Sequence, residues 1–251
     1  MSSGIWTLCA GASELRPLRL EPLRAVEAQH QVSTRRLVDS DAEQQLLERL
    51  IDDAKPPERA GPRLHYLLST PFRYPPLPHG SRFGSRTRRG IWYGAESPRT
   101  AFAEVAYYRL LFLEGTTADL GPVRTELTSF TTTVKTERGI DLTASPFSAH
   151  EAALSSPDSY EATQALGDAM REEGVEVVRY RSARDIERGT NVAVLDPAAF
   201  GRRQPRAFEN WHCIADRDSV EVTSRRYIGR SVFHFARAEF LVRGRLPAPA
   251  I

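Results

Sequence analysis

Four polar side chains in the middle of the chain are of types that could do chemistry: Arg82, Tyr93, Glu104 and Ser182. Glu104 is the most telling. It interrupts a run from Ala101 to Leu113 that is apolar almost all the way round. A carboxylate there is costly to bury unless a partner or a function holds it. On a helix its neighbours on the same face would be Ala101, Tyr107, Tyr108 and Leu111. Arginine offers a planar fork suited to bidentate grips on phosphate or carboxylate, and Arg73, Arg82, Arg86, Arg88 and Arg89 crowd together. Three of the four residues also have an ordinary account: Arg82 as a solvated charge, Tyr93 as core, Ser182 as a turn or helix cap.

The elements that must position them can be read from local signals. Ile91 to Ala95 reads as a short strand. Ser97 and Pro98 then mark a helix start, since serine can accept from a free first-turn N–H and proline lacks the N–H that would go unpaired there. Gly115 and Gly121-Pro122 end that helix in a turn, and Thr125 to Val134 suits a strand. Asp141 to Ser156 reads as loop with a short helical piece. Pro157 to Glu173 reads as a helix capped by Ser156 and stopped by Gly174. Val175 to Tyr180 is a strand that leads into a turn carrying Ser182, and Asn191 to Leu195 is another strand. Ser219 to Thr223 and Val232 to Val242 alternate like antiparallel partners, and Leu64 to Phe72 is either strand or helix. Without a regular βαβ rhythm the class is α+β. Residues 1–60 read as a helical N-terminal extension to a main domain at 61–251. Its amphipathic helix starts at Asp39 and runs through Ile51, with Leu46, Leu47, Leu50 and Ile51 on one side.

Composition narrows the function. The chain has 251 residues, enough for one sizeable core, and a net charge of +2, too small to imply nucleic-acid binding. Only Lys55 and Lys135 are lysines among 34 basic side chains. Cys9 and Cys213 make neither a disulfide framework nor a zinc site. No His-x-x-x-His or Cys-x-x-Cys pair calls for a metal. The P-loop and the nucleophile elbow of serine hydrolases are both missing. His212 and Cys213 are adjacent on an extended stretch and so face opposite ways. Neither a secretory signal nor an apolar run long enough for a bilayer is present, so the expectation is a cytoplasmic protein.

Five segments taken together carry a resemblance. Gly80-Ser81-Arg82-Phe83-Gly84, Gly90-Ile91-Trp92-Tyr93-Gly94-Ala95, Thr100-Ala101-Phe102-Ala103-Glu104-Val105, Tyr180-Arg181-Ser182-Ala183-Arg184-Asp185 and Gly189-Thr190-Asn191-Val192-Ala193-Val194 resemble the RES domain. That family of toxins from bacterial toxin–antitoxin pairs is named for an arginine, a glutamate and a serine. Its arginine, tyrosine, glutamate and serine fall on Arg82, Tyr93, Glu104 and Ser182. Phe83-Gly84 stands where many members have tryptophan and asparagine, and the N-terminal extension is longer than in compact members.

The resemblance implies an ADP-ribosyltransferase-like fold of small antiparallel or mixed sheets with flanking helices, acting on NAD as substrate, without a metal. Arg82 would clamp a phosphate, with Arg73 as a second candidate. Tyr93 would face the nicotinamide or its ribose, Glu104 would stabilise positive charge on that ribose, and Ser182 would anchor the substrate. Asn191 would be structural, pinning the turn after Gly189. Cleavage of the nicotinamide–ribose bond with water or phosphate as acceptor is the leading expectation, and protein ADP-ribosylation the second. A non-enzymatic RNA-binding module would instead use the arginines at 82–89 and Arg202, Arg203 and Arg206. The implied partner is an Xre-like helix-turn-helix antitoxin with acidic groups to meet Arg73 and Arg82; no membrane is expected, nor direct binding of nucleic acid.

Overall fold

The structure is a computed structural model that describes residues 4–28, 38–54, 63–74, 78–226 and 228–248. Ten strands form one sheet in the order β1-β5-β6-β7-β3-β2-β4-β8-β9-β10. In chain order these are β1 (Arg16–Leu20), β2 (Leu23–Glu27), β3 (Trp92–Ala95), β4 (Val123–Thr131), β5 (Val134–Asp141), β6 (Val177–Arg181), β7 (Thr190–Val194), β8 (Arg206–Ala215), β9 (Ser219–Ser224) and β10 (Val232–Ala236). β5 and β6 pair in parallel, and the other pairs are antiparallel. The α+β class is as expected, but one large sheet replaces the several small ones foreseen. The helices are α1 (Ile5–Leu8), α2 (Asp41–Asp53), α3 (Tyr66–Arg73), α4 (Pro98–Glu114), α5 (Glu151–Leu154) and α6 (Glu161–Glu172).

Alternation along the strands separates two faces. On one, Trp92, Phe130, Val192 and Val194 pack with Leu68 and Phe72 of α3. The other face carries two clusters. Phe102, Ala106 and Leu110 of α4 pack on Leu127, Trp211 and Val222. Leu166 and Met170 of α6 pack on Val178, Ala193 and Phe83. The two helices therefore stand on one face with a gap between their cores.

The N-terminal stretch is the main correction. The amphipathic helix is present as α2, and Leu46, Leu50 and Ile51 of its apolar side are exposed. But residues 1–60 are not a helical cap, because β2 sits between β3 and β4 and β1 forms an edge against β5. These short strands mix arginine with leucine, and their pairing partners lie about a hundred residues away. Local patterning has no access to that pairing. The expected boundary near residue 60 lies outside the described residues.

Smaller differences have local causes. Leu64 to Phe72 resolves as helix α3. α6 starts at Glu161 rather than Pro157, and Ser156 Oγ accepts from the N–H groups of Asp158 and Ser159 in a turn that precedes it. α4 begins as read, with Ser97 Oγ accepting from the Thr100 N–H at 3.2 Å. Its surface is not wholly buried, however, for Tyr108 and Phe112 are exposed.

Because β2 fills the middle of the sheet, deleting residues 1–28 should abolish cooperative thermal unfolding rather than trim it. A truncated chain that keeps a sharp melt by circular dichroism would show that β2 is dispensable.

Candidate active site

The gap between the two cores is a cavity of about 550 Å³, within the range typical of small-molecule sites. Ala101, Glu104, Tyr107, Tyr108 and Leu111 line it, the helix face read from the sequence. The floor is a row across four strands. β6 pairs Tyr180 with Asn191, β7 pairs Asn191 with Ala95, and Ala95 pairs with Leu23 of β2. A larger cavity under α1, of about 650 Å³, has five alanines in its lining, and Glu161 is the only ionisable group among the described lining residues.

Glu104 is held through one oxygen. Its Oε1 accepts from Ser182 Oγ at 3.1 Å and from Asn191 Nδ2 at 2.8 Å. Among the described residues no hydrogen bond reaches Oε2. Ser182 Oγ in turn accepts from the Arg184 and Asp185 N–H groups at 3.1 Å each. One helical turn back from Glu104, Thr100 Oγ1 donates to Asp185 Oδ2 at 2.8 Å. Arg99 adds an ion pair to Asp185 at 3.3 Å. The 182–188 turn is thus clasped to the first two turns of α4, and the carboxylate has one free oxygen on the cavity side.

Several residues stand elsewhere than the resemblance implied. Ser182 is fully buried behind Glu104, off the cavity wall, and its hydroxyl is directed at the carboxylate rather than into the cavity. Asn191, read as structural, lines the cavity and bonds Glu104 directly. Arg82 lines the cavity, yet Nη1 donates to the Leu154 carbonyl at 3.1 Å and Nη2 to the Ser156 carbonyl at 3.0 Å. Its guanidinium also lies over the Tyr160 ring. The fork is therefore not free for a bidentate grip; Arg82 shapes the 154–160 wall and adds positive charge. Arg73 is not brought to the cavity, because α3 packs by Leu68 and Phe72 on the opposite face of the sheet. Of the other arginines at 82–89 and 202–206, three have contacts within the protein, while Arg86, Arg202 and Arg203 are exposed. Arg88 pairs with Asp168, Arg206 with Glu21, and Arg89 lies over Phe72. Arg24, unnoticed in the sequence, stands in the β2 segment of the cavity lining with its guanidinium over Trp92. Its Nη1 is buried without a hydrogen-bond partner among the described residues, and burial lowers its pKa to about 10.

The Gly80–Gly84 segment presents Arg82 by closing on itself. Ser81 N–H donates to the Gly84 carbonyl at 2.7 Å, and Gly80 takes φ +72°, where a side chain would be strained. α6 can approach this turn because position 167 is glycine: a Cβ there would lie 2.1 Å from the Phe83 carbonyl oxygen. Tyr93 secures the turn from below. Its hydroxyl accepts from the Phe83 N–H at 3.2 Å and bonds Ser81 Oγ at 2.9 Å. Burial is the main cause that pushes Tyr93 up to about 12, and it also raises Tyr107, Tyr108 and Tyr180. These phenols are neutral near pH 7 and supply ring faces and hydrogen bonds rather than a base. His212 is exposed while Cys213 is buried, so they form no pair. Among the described residues no cluster of three or more His, Cys, Asp or Glu side chains could hold a metal ion, and no helix is long and apolar enough to cross a membrane.

Two outcomes follow from this geometry. Ser182→Ala strands two buried N–H groups and should destabilise the fold by about 2 kcal/mol, read from the denaturant midpoint; a change below about 0.5 kcal/mol would contradict the clasp. The folded state keeps its phenolic protons to higher pH than the unfolded chain does. Stability should therefore fall as pH rises from about 10 toward 12. Tyrosinate absorbance of the native protein should lag behind that of the denatured chain.

The family model for the RES domain matches residues 56–216. A search of curated proteins finds no match. Among solved structures, the chain is similar to one in the crystal structure of the M. tuberculosis MbcT–MbcA toxin–antitoxin complex, with 14% identity and a TM-score of 0.49, covering 82% of this chain and 91% of that one. The matched segment holds the Gly80–Gly84 turn, α4 with Glu104, and the strand–turn–strand with Ser182 and Asn191. The chain belongs to the RES domain family.

Proposed function

We propose that the protein is the toxin of a toxin–antitoxin pair and consumes NAD by cleaving the bond between nicotinamide and ribose. The observation that carries this reading is a cavity with one carboxylate among its lining residues, restrained through one oxygen and free at the other. Hydrolysis of an ordinary glycoside needs two carboxyl groups, one to protonate the leaving oxygen. Nicotinamide needs no such proton. The bond electrons pass to the positively charged ring nitrogen, and the base departs neutral. What remains is positive charge on the ribose, which a fixed anion beside it stabilises. Glu104 Oε2 is that anion. Ser182 and Asn191 hold it in place, the tyrosine rings flank nicotinamide and ribose, and the charge of Arg82 favours the diphosphate.

The same reading treats the mixed sheet with its helix-borne carboxylate as a variant of the ADP-ribosyltransferase arrangement. Water or inorganic phosphate is the acceptor, in a cytoplasmic setting; transfer to a protein side chain would use the same first half-reaction. An Xre-like helix-turn-helix antitoxin that covers the cavity mouth is the partner. The RNA-binding alternative would have to rest on Arg86, Arg202 and Arg203, since Arg88 and Arg206 are paired with carboxylates.

Purified protein incubated with NAD should release nicotinamide, and the mass of the ribosyl product with and without phosphate should name the acceptor. Background release in both buffers would discard hydrolysis and phosphorolysis alike. Glu104→Gln keeps an oxygen to accept from Ser182 and Asn191 but removes the charge. Turnover should fall roughly a hundredfold or more. NAD affinity should change much less, because the cation is absent from the ground state. Unchanged turnover in a folded variant would remove Glu104 from the mechanism.

A further inference from the structure

Asn191 Nδ2 faces Glu104 Oε1, so its Oδ1 is the acceptor end of the amide; a carboxylate can only accept, which settles the orientation. Asn191 is 2% exposed, lines the cavity, and its Oδ1 is buried with no hydrogen-bond partner among the described residues. Its cross-strand neighbour on one side, Ala95, offers only a methyl group. A buried acceptor left open at a cavity wall is where a ligand donor belongs.

We infer that Asn191 Oδ1 and Glu104 Oε2 form a pair of acceptors for the two vicinal hydroxyls of a ribose, so that Asn191 binds substrate as well as positioning the carboxylate. This rests on the proposed action on NAD and specifies how its nicotinamide ribose is held. Each oxygen belongs to a planar group whose other heteroatom lies in the 2.8 Å Asn191–Glu104 bond, so the two are at most about 7 Å apart by standard bond lengths. Two adjacent hydroxyls, each reaching about 2.8 Å to an oxygen, span such a gap. Neither acceptor brings a competing donor to that point. A sugar lacking one of the hydroxyls would leave an acceptor unpaired in the dry floor of the cavity, a loss that sites built around a hydroxyl reject strongly.

The test is equilibrium binding of NAD and of its 2′-deoxy and 3′-deoxy nicotinamide-ribose analogues to wild type, Asn191→Ala and Asn191→Asp, each first shown to be folded by its melting temperature. Wild type should bind at least one analogue roughly tenfold or more weaker than NAD. Asn191→Ala should lose the discrimination against one of the two analogues, the one whose missing hydroxyl met Oδ1, and bind it and NAD alike. Asn191→Asp keeps an oxygen in place but sets a second carboxylate oxygen against Glu104 where the amide donor stood, so in a folded variant it should retain the discrimination while turnover falls. Equal binding of all three ligands by wild type, or full discrimination retained by Asn191→Ala, overturns the inference while leaving NAD consumption standing. If wild type neither binds NAD nor releases nicotinamide, the NAD reading itself has failed, and this inference falls with it.

Discussion

The site depends on one shared oxygen. Glu104 Oε1 takes a hydroxyl from the turn after β6 and an amide from β7, and through it α4 is tied to the centre of the sheet. Either donor alone would leave the carboxylate free to rotate between its two oxygens. Two donors on the same atom settle which oxygen is occupied and which faces the cavity. A buried carboxylate tolerates this setting because hydrogen bonds replace part of its lost hydration. The Thr100–Asp185 bond one turn earlier repeats the tie and keeps the helix in register.

The arginines act on a different principle. A chain so rich in arginine invites the expectation of an anion-binding surface, yet several guanidinium groups are engaged inside the protein. Arg82 holds two carbonyls of the 154–156 segment, Arg171 donates to the Arg89 carbonyl, and Arg184 stacks 3.6 Å over the Tyr107 ring. The planar fork suits this, since it can cross-link loop carbonyls and cover aromatic faces at once. As a result the cavity is walled by tyrosine rings and holds few charges, so the field of Glu104 is less screened than it would be at an open surface.

What the sequence by itself determined is local. The cap at Ser97, the helix after it, the face shared by Glu104 with Ala101, Tyr107, Tyr108 and Leu111, and the strand–turn–strand around Ser182 all follow from spacings shorter than a few turns. The misplaced carboxylate was visible because burial of charge conflicts with an apolar helix wherever that helix packs. The family's four polar positions were legible for the same reason, as motifs within short segments. Their division of labour was not. Ser182 behind the carboxylate, Asn191 beside it, Arg82 engaged with carbonyls and Arg73 on the far face are all outcomes of long-range packing. So is the insertion of β2 between β3 and β4. A short strand has little intrinsic preference, and its place is decided by which pairing buries the most surface and satisfies the most backbone across the whole sheet. That free energy is a property of the assembled fold, which no window of sequence contains.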